Sequence, residues 1–172
     1  MKQILMILAP KNFRDLEYIV PRAFFEQKLV CQVTTASTET ISYWRFGYEV
    51  SHSWMIDDYK DKIFDAIVFV GGLGSLLYMQ NETVKNLTKT HMWAWKIVAS
   101  IYAAPRNFLA WGIAKDKKIT WADWDNNLWN LAKDSGAILE HKPVVVDWNL
   151  ITGNWPEAAE EFALAIIEKL KN

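Results

Sequence analysis

The residues best placed for chemistry lie where an apolar run changes into a helical pattern. Residues 96–102 predict a buried strand, and 103–113 predict the helix that follows it through a sharp turn. Folds of the α/β-hydrolase type expose a nucleophile at such a turn. The residue here is Tyr102, a weak nucleophile near neutral pH because a phenol titrates at about pH 10. Ser100 lies inside the predicted strand, where we expect a structural role.

A second candidate is the glycine-rich turn Gly71-Gly72-Leu73-Gly74, which ends the apolar run 64–70. Backbone N–H groups in such a turn can bind an anion or an oxyanion. The spacing matches neither the dinucleotide-binding pattern nor the phosphate-binding loop of nucleotide hydrolases, so we expect no nucleotide cofactor. A tight connection between a strand and a loop is the simpler interpretation of the same residues.

The three histidines, His52, His91 and His141, have no partner at metal-ligand spacing, so we expect no metal site. Each lies in a polar stretch, which predicts solvated side chains. His52 or His91 is also a candidate general base, since an unperturbed imidazole titrates at about pH 6.5. Cys31 is expected to be a small buried apolar residue of the second strand.

Continuous apolar runs predict the strands that position these residues, and helical spacing predicts the helices between them. The predicted strands and helices alternate, with strands at 3–9, 29–35, 64–70, 96–102, 144–146 and 150–152, short strands or a hairpin within 41–56, and helices at 14–27, 82–95, 103–113 and 156–170. This alternation predicts an α/β three-layer sandwich around a mostly parallel sheet. In such a sheet, ligands bind beyond the carboxyl ends of the strands.

Length and composition predict one domain, residues 1–172. Of the 172 residues 51% are hydrophobic, and no linker, repeat or low-complexity stretch divides them. The chain has 19 basic and 20 acidic side chains, a formal net charge of −1, so we expect neither nucleic acid nor an anionic membrane as a partner. No apolar run is long enough to span a bilayer and no signal-peptide pattern occurs, which predicts a cytoplasmic protein.

The abnormal feature of the composition is ten tryptophans beside seven glycines. Trp111 and Trp129 fit an ordinary core. Trp93 and Trp95 cannot share one helical face, because they are two residues apart, so we expect at least one to be exposed. The other six fall in polar or turn-like segments: Trp44, Trp54, Trp121, Trp124, Trp148 and Trp155.

The chain resembles the ThiJ/PfpI superfamily, whose glutamine-amidotransferase-like fold carries a cysteine at a nucleophile elbow. The resemblance follows the family's order over nearly the whole chain, through ILMILAP, FDAIVFVGGLGS, KIVASIYAAPRNFLA, VVVDWNLITGNWP and EEFALAIIEKL. It implies a flavodoxin-like fold. Members of the family act as cysteine-dependent hydrolases, glyoxalase- or deglycase-like enzymes, chaperones or redox sensors, commonly as homodimers.

Three residues match groups that the family uses. The resemblance implies that Glu17 is the buried glutamate that hydrogen-bonds the cysteine. It implies that Gly71 and Gly72 are the glycine pair whose backbone helps to form the oxyanion hole. Burial would raise the pKa of Glu17, and Tyr102 could donate a hydrogen bond to it.

The chain departs from the family at the catalytic positions themselves. Tyr102 stands where the family has its nucleophilic cysteine. The histidine that follows it in one branch is Ala103, and the loop histidine of other branches falls at 121–122, where there is none. Without a thiolate and an imidazole, the covalent chemistry of the family has neither nucleophile nor base. We therefore expect cysteine-dependent activity to be absent.

Two tryptophans stand where the resemblance implies glycine: Trp148 between the last two strands and Trp155 before the last helix. A bulky residue is strained in a two-residue hairpin turn, because that turn needs a positive φ. We interpret these exchanges as an engineered resurfacing of a natural scaffold, with aromatic side chains around the former active site. The predicted binding residues are Gly71, Gly72, Tyr102, Trp121, Trp148 and Trp155.

Three functional hypotheses follow. The first is a binding pocket or surface for a small aromatic ligand or an engineered protein partner, without a cofactor. The second is an enzyme that performs acid–base chemistry on an aromatic substrate, with Glu17 or a histidine as the base. The third is a natural pseudoenzyme with a scaffolding or chaperone role. The resemblance implies a homodimer in each case.

Overall fold

A computed structural model describes residues 1–44 and 46–172, except for the side chain of Leu128. Its strands and helices are β1 (Lys2–Ile7), β2 (Lys11–Phe13), α1 (Leu16–Lys28), β3 (Cys31–Ala36), β4 (Ile41–Trp44), β5 (Glu49–Ser51), β6 (Ala66–Phe69), α2 (Glu82–Trp93), β7 (Ile97–Ile101), α3 (Pro105–Ala110), β8 (Lys118–Ile119), α4 (Leu128–Ser135), β9 (Ile138–Leu139), β10 (Val144–Asp147), β11 (Leu150–Gly153) and α5 (Ala159–Lys171). Three 3₁₀ segments add Ile56–Tyr59, Leu73–Gln80 and Pro156–Ala158.

The central sheet has six strands in the order β10-β11-β7-β6-β1-β3. All pairs are parallel except the β10–β11 hairpin. Helices α1 and α5 pack against each other on one face, and α2 packs on β6 and β7. The predicted flavodoxin-like α/β sandwich with a mostly parallel sheet is therefore confirmed.

The core lies on both faces of the inner strands. Every residue of β6 and β7 is buried, as is β1 from Ile4 onward, which explains their uninterrupted apolar sequences. Two smaller sheets, β2-β4-β5 and β8-β9, lie outside the central one. Strand β2 runs into the connection before α1 and thereby brings residues 11–15 to the carboxyl end of β6.

The structure corrects three predictions about buried and exposed side chains. His52 and His91 are buried rather than solvated, because both nitrogens of each imidazole have polar neighbours. His52 lies 2.8 Å from the Ser42 hydroxyl and 3.0 Å from that of Thr35. His91 accepts the Phe64 N–H at 3.0 Å. Trp129, expected in the core, is exposed on α4.

The predicted helix at 103–113 is also shorter in the structure. Helix α3 covers Pro105–Ala110, with Trp111 as its C-cap. Gly112 then takes a φ of +71°. Trp111 itself is buried, as expected, and its indole N–H donates to the carbonyl oxygen of Met79 at 3.0 Å.

Candidate functional site

Tyr102 occupies a sharp turn between β7 and α3. Its φ is +60°, a left-handed conformation that is rare outside glycine, asparagine and aspartate. Its N–H donates to the Gly153 carbonyl at 3.1 Å, and its own carbonyl accepts the Ala122 N–H at 3.2 Å. These bonds join the turn to the ends of two neighbouring segments. The backbone of a nucleophile elbow is therefore present, with a phenol in place of a nucleophile.

The Tyr102 ring lies between two indole rings. Its centroid is 5.4 Å from the centroid of Trp124 and 5.8 Å from that of Trp155. Trp155 was predicted as a binding residue, and the structure places it beside Tyr102. Trp124 was not predicted as part of the site, although its place in the loop after β8 was a usable signal. The elbow thus carries an aromatic cluster of Tyr102, Trp124 and Trp155.

An ion pair holds Trp124 in this cluster. The Arg106 guanidinium lies 3.9 Å from the centroid of the Trp124 ring, within the range of a cation–π contact. The same guanidinium donates two hydrogen bonds to the Asp125 carboxylate, one of them 2.7 Å long. This interaction lowers the pKa of Asp125. Arg106 is buried at the start of α3, so it fixes the loop 121–127 to a rigid element.

Glu17 lies in the first turn of α1 and is fully buried. Burial raises its pKa well above the usual value, against the opposing effect of the Arg14 charge. Neither carboxyl oxygen accepts a well-aligned hydrogen bond from a described residue, although the Gly71 backbone N–H faces the carboxyl group and lowers its pKa. The predicted hydrogen bond from Tyr102 to Glu17 is therefore wrong. The reason is that the Tyr102 ring turns toward Trp124 and Trp155 instead.

Gly71 separates Glu17 from Tyr102. A Cβ at Gly71 would overlap Oε2 of Glu17 and the Ile101 carbonyl oxygen, and would lie 2.9 Å from Cβ of Tyr102. Only glycine allows these three groups to approach so closely. Gly72 has a φ of +95°, and a Cβ there would lie 2.7 Å from the backbone nitrogen of Arg14. The glycine pair therefore packs the elbow, the buried carboxyl group and the β2–α1 connection together.

A cleft of about 450 Å³ opens beside these residues, at the carboxyl ends of the parallel strands. We call it the aromatic cleft. Four of its lining residues are aromatic, and two, Arg14 and Glu157, are charged. The lining consists of Asn12, Phe13, Arg14, Trp44, Gly72, Leu73, Tyr102, Trp155, Pro156 and Glu157. Glu17 is not part of this lining.

The structure does not bring Trp121 and Trp148 to the cleft. Trp121 is 2% exposed and belongs to the core. The backbone N–H of the preceding Thr120 donates a hydrogen bond to the Thr152 hydroxyl, which holds this segment against the central sheet. Trp148 lies in the β10–β11 turn. Since β11 runs parallel to β7, this turn is at the amino ends of the strands, opposite the cleft. There Trp148 contacts Trp95, with ring centroids 6.2 Å apart.

The other predictions concern Cys31, metal binding and membrane spans. Cys31, at the start of β3, is half-buried, its thiol donates to the Phe25 carbonyl at 3.3 Å, and burial raises its pKa. Within the described ranges, no three His, Cys, Asp or Glu side chains come together as a metal site. No helix in the described part of the chain is both long and apolar enough to cross a membrane.

Comparison with known proteins gives one consistent family. The sequence profile of the DJ-1/PfpI family matches residues 2–169. An uncharacterized protein of Methanocaldococcus jannaschii is 34% identical over 98% of this chain and 82% of its own. A glutathione-independent glyoxalase of Caenorhabditis elegans is 26% identical over 99% of this chain and 89% of its own. A ThiJ/PfpI domain protein from Brachyspira murdochii superposes with a TM-score of 0.88 at 25% identity, covering 98% of this chain and 96% of that one.

Proposed function

Because this chain belongs to the DJ-1/PfpI family, we propose that it uses the site of that fold without a thiol, as a binding site for a planar aromatic molecule that carries an anionic group. The observation that carries this proposal is the aromatic cleft, where Tyr102 and Trp155 lie beside Phe13 and Trp44. Rigid aromatic side chains provide large contact areas with few rotatable bonds.

Arg14 supports an anionic group on the ligand. It lines the cleft, and its side chain is partly exposed. Its only ion pair among the described residues is a 4.0 Å contact with Asp15, and its Nε has no hydrogen-bond partner there. Glu157 lines the same cleft, so the anionic group would lie on the Arg14 side. A charge-assisted hydrogen bond to Arg14 would fix the orientation of the ring system.

Calorimetric titration with naphthoate tests this function. We expect one saturable site per chain, with weaker binding of the neutral naphthalenemethanol. Arg14→Gln and Trp155→Ala should each lower the affinity about tenfold, because each removes a contact of roughly 1.5 kcal/mol. Trp129→Ala, which removes an exposed indole on α4, is the matched control and should bind like the wild type. Equal affinity of Trp155→Ala and the wild type would contradict the proposal.

A second candidate function is general acid–base catalysis by Glu17. The observation that favours it is a fully buried carboxyl group that has a raised pKa and accepts no well-aligned hydrogen bond from a described residue. Such a group acts as a base only above its raised pKa. Turnover of an aromatic carbon acid should then increase with pH and be lost in Glu17→Gln. Turnover that survives this substitution would exclude Glu17 as the base.

The engineered origin and the pseudoenzyme role stay predictions. Two exposed tryptophans with positive φ, Trp95 and Trp148, support resurfacing, since bulky residues rarely adopt this backbone conformation. Relatives that share Trp148 and Trp155 would favour a natural origin. An alignment of these two positions across the family distinguishes the two origins.

A further inference from the structure

Strand β3 forms one edge of the central sheet, and its backbone pairing shows which of its groups face outward. Among the described residues, β3 pairs only with β1, in parallel register. The Lys2 N–H donates to the Val30 carbonyl at 3.2 Å, and the Leu8 N–H donates to the Ala36 carbonyl at 3.0 Å. In a parallel ladder the residues that face the partner strand alternate. The backbone groups of Gln32, Thr34 and Ala36 therefore face β1.

The same alternation turns the N–H and C=O groups of Cys31, Val33 and Thr35 away from the sheet. The His52 imidazole hydrogen-bonds to Thr35, whereas no backbone group within residues 1–44 and 46–172 bonds to the outward groups of Cys31 and Val33. The strand reads Cys-Gln-Val-Thr-Thr-Ala, without a charge or a proline, and its register with β1 is regular. Edge strands are usually protected by charges, prolines or bulges. This edge has none of these features and can pair with another strand.

A groove of about 740 Å³ lies against this edge, and we call it the edge groove. Gln32 to Thr35 form part of its lining, and Arg22 of α1 and Tyr59 of the first 3₁₀ segment contribute to the rest. Ser51, Ser53, Trp54, Asp58 and Lys62 complete the lining. The edge groove shares no lining residue with the aromatic cleft.

The side chains of the edge groove indicate the composition of its ligand. The Lys62 ammonium lies 5.8 Å from the Tyr59 ring centroid and 4.9 Å from that of Phe64. It has no carboxylate partner in the described part of the chain. Trp54 is exposed beside it. A ligand that combines acidic and apolar side chains would complement this lining.

We propose that the edge groove binds an extended peptide that adds a strand to β3. The peptide backbone pairs with the outward N–H and C=O groups of Cys31 and Val33. Its acidic side chains face Lys62, and its apolar side chains contact Trp54 and Tyr59. The main-chain hydrogen bonds supply affinity and the side-chain contacts supply selectivity, as in other cases of strand addition.

Fluorescence anisotropy tests the proposal with an octapeptide of alternating valine and glutamate, labelled with fluorescein at its amino end. We expect saturable binding to the full chain. Val33→Pro should weaken binding at least about tenfold, because proline removes an outward N–H and its ring obstructs the added strand. This substitution removes no hydrogen bond to β1, and proline is tolerated at an edge position of this kind. Val33→Ala keeps the N–H and should bind within about threefold of the wild type.

A second measurement does not depend on how well the proline variant folds. The same octapeptide with every peptide nitrogen methylated cannot donate to the edge, so the wild-type protein should not bind it. Equal binding of both peptides, equal binding by Val33→Pro, or no saturable binding of the unmodified peptide at millimolar concentration would each overturn the proposal. A wild-type dimer that Val33→Pro converts to a monomer, with no peptide bound, would assign the edge to a second copy and overturn it as well.

Discussion

Three aromatic residues have left-handed backbone conformations: Trp95, Tyr102 and Trp148, with φ of +56°, +60° and +58°. Each such residue costs of order 1 kcal/mol or more relative to an ordinary conformation. Tyr102 lies at the aromatic cleft, where strain is expected of a functional site. The other two contact each other at the opposite end of the sheet. Strain is therefore present at two separate aromatic surfaces.

Trp148→Gly should stabilise the protein by about 0.5–1 kcal/mol, because glycine adopts a positive φ without strain. The matched control is Trp129→Gly, which removes an equally exposed indole from the helix α4. There glycine should destabilise by about 0.5–1 kcal/mol. Urea denaturation of the two variants compares these opposite signs. A loss of stability in Trp148→Gly would show that its contact with Trp95 outweighs the strain.

Glu17 should make the stability of the fold depend on pH. Its pKa is raised in the folded state above the ordinary value of 4.5, so the folded state binds the proton more tightly than the unfolded state. The resulting stabilisation is fully present below the unfolded pKa and is lost as pH rises through the raised folded pKa. Glutamine cannot ionise, so Glu17→Gln should become progressively more stable relative to the wild type as pH rises above the ordinary value of 4.5, which we would measure from about pH 4 to about pH 8.

Urea midpoints measured across this pH range test the prediction. Glu160→Gln, which changes an exposed carboxylate of α5, is the control and should keep the pH dependence of the wild type. If Glu17→Gln and the wild type differ by the same amount at every pH, the raised pKa of Glu17 is contradicted.

The position of a residue directly after a parallel strand was enough to predict which edge of the sheet it occupies. Tyr102 and Trp155 follow β7 and β11, whose carboxyl ends meet at one edge of the sheet. Trp148 was assigned to the wrong end, because the sequence does not show which edge a hairpin turn occupies until the strand order is known. Trp124 was missed, since its position depends on Arg106, a contact across the fold.

At the scale of elements, the long buried strands were predictable and the short segments were not. β1, β6 and β7 are apolar on both faces, and this pattern is visible in the sequence. β2 has only three residues, and its pairing with β4, a strand distant in sequence, leaves no local pattern in the sequence. The 3₁₀ segment Leu73–Gln80 was not predicted, because its helical turns are too short to show a period.

The loop 121–127 is an element that one ion pair should control. Asp125→Asn weakens the attachment of this loop to Arg106, so the loop amides should exchange with solvent faster while those of α2 stay unchanged. Asp134→Asn, which changes an exposed carboxylate on α4, is the control. Hydrogen exchange measured by mass spectrometry distinguishes the two variants. Unchanged exchange in Asp125→Asn would show that the ion pair does not hold the loop.

For the whole molecule, we propose a homodimer through an apolar surface formed by α1 and the β4–β5 hairpin. Leu16 and Ile19 are exposed on α1, and Tyr43 and Tyr48 are exposed on the hairpin. Strand β4 of the hairpin pairs with β2, which directly precedes α1, so the hairpin lies near the start of α1. Large apolar side chains that are exposed on neighbouring elements favour a protein interface.

Light scattering should give twice the chain mass of 19.9 kDa for the wild type. Ile19→Glu should give a monomer, because it places a charge in the interface. Val146→Glu, on the exposed side of β10, should leave the dimer intact. A wild-type monomer at all concentrations would contradict the homodimer.

We propose above that the aromatic cleft binds a planar anionic ligand beside Tyr102. A crystal structure with naphthoate at saturating concentration tests this most directly. We predict the naphthalene ring in contact with Tyr102 and Trp155, and its carboxylate within hydrogen-bond distance of Arg14. An empty cleft, or naphthoate bound only at the Trp95–Trp148 pair, would contradict the account.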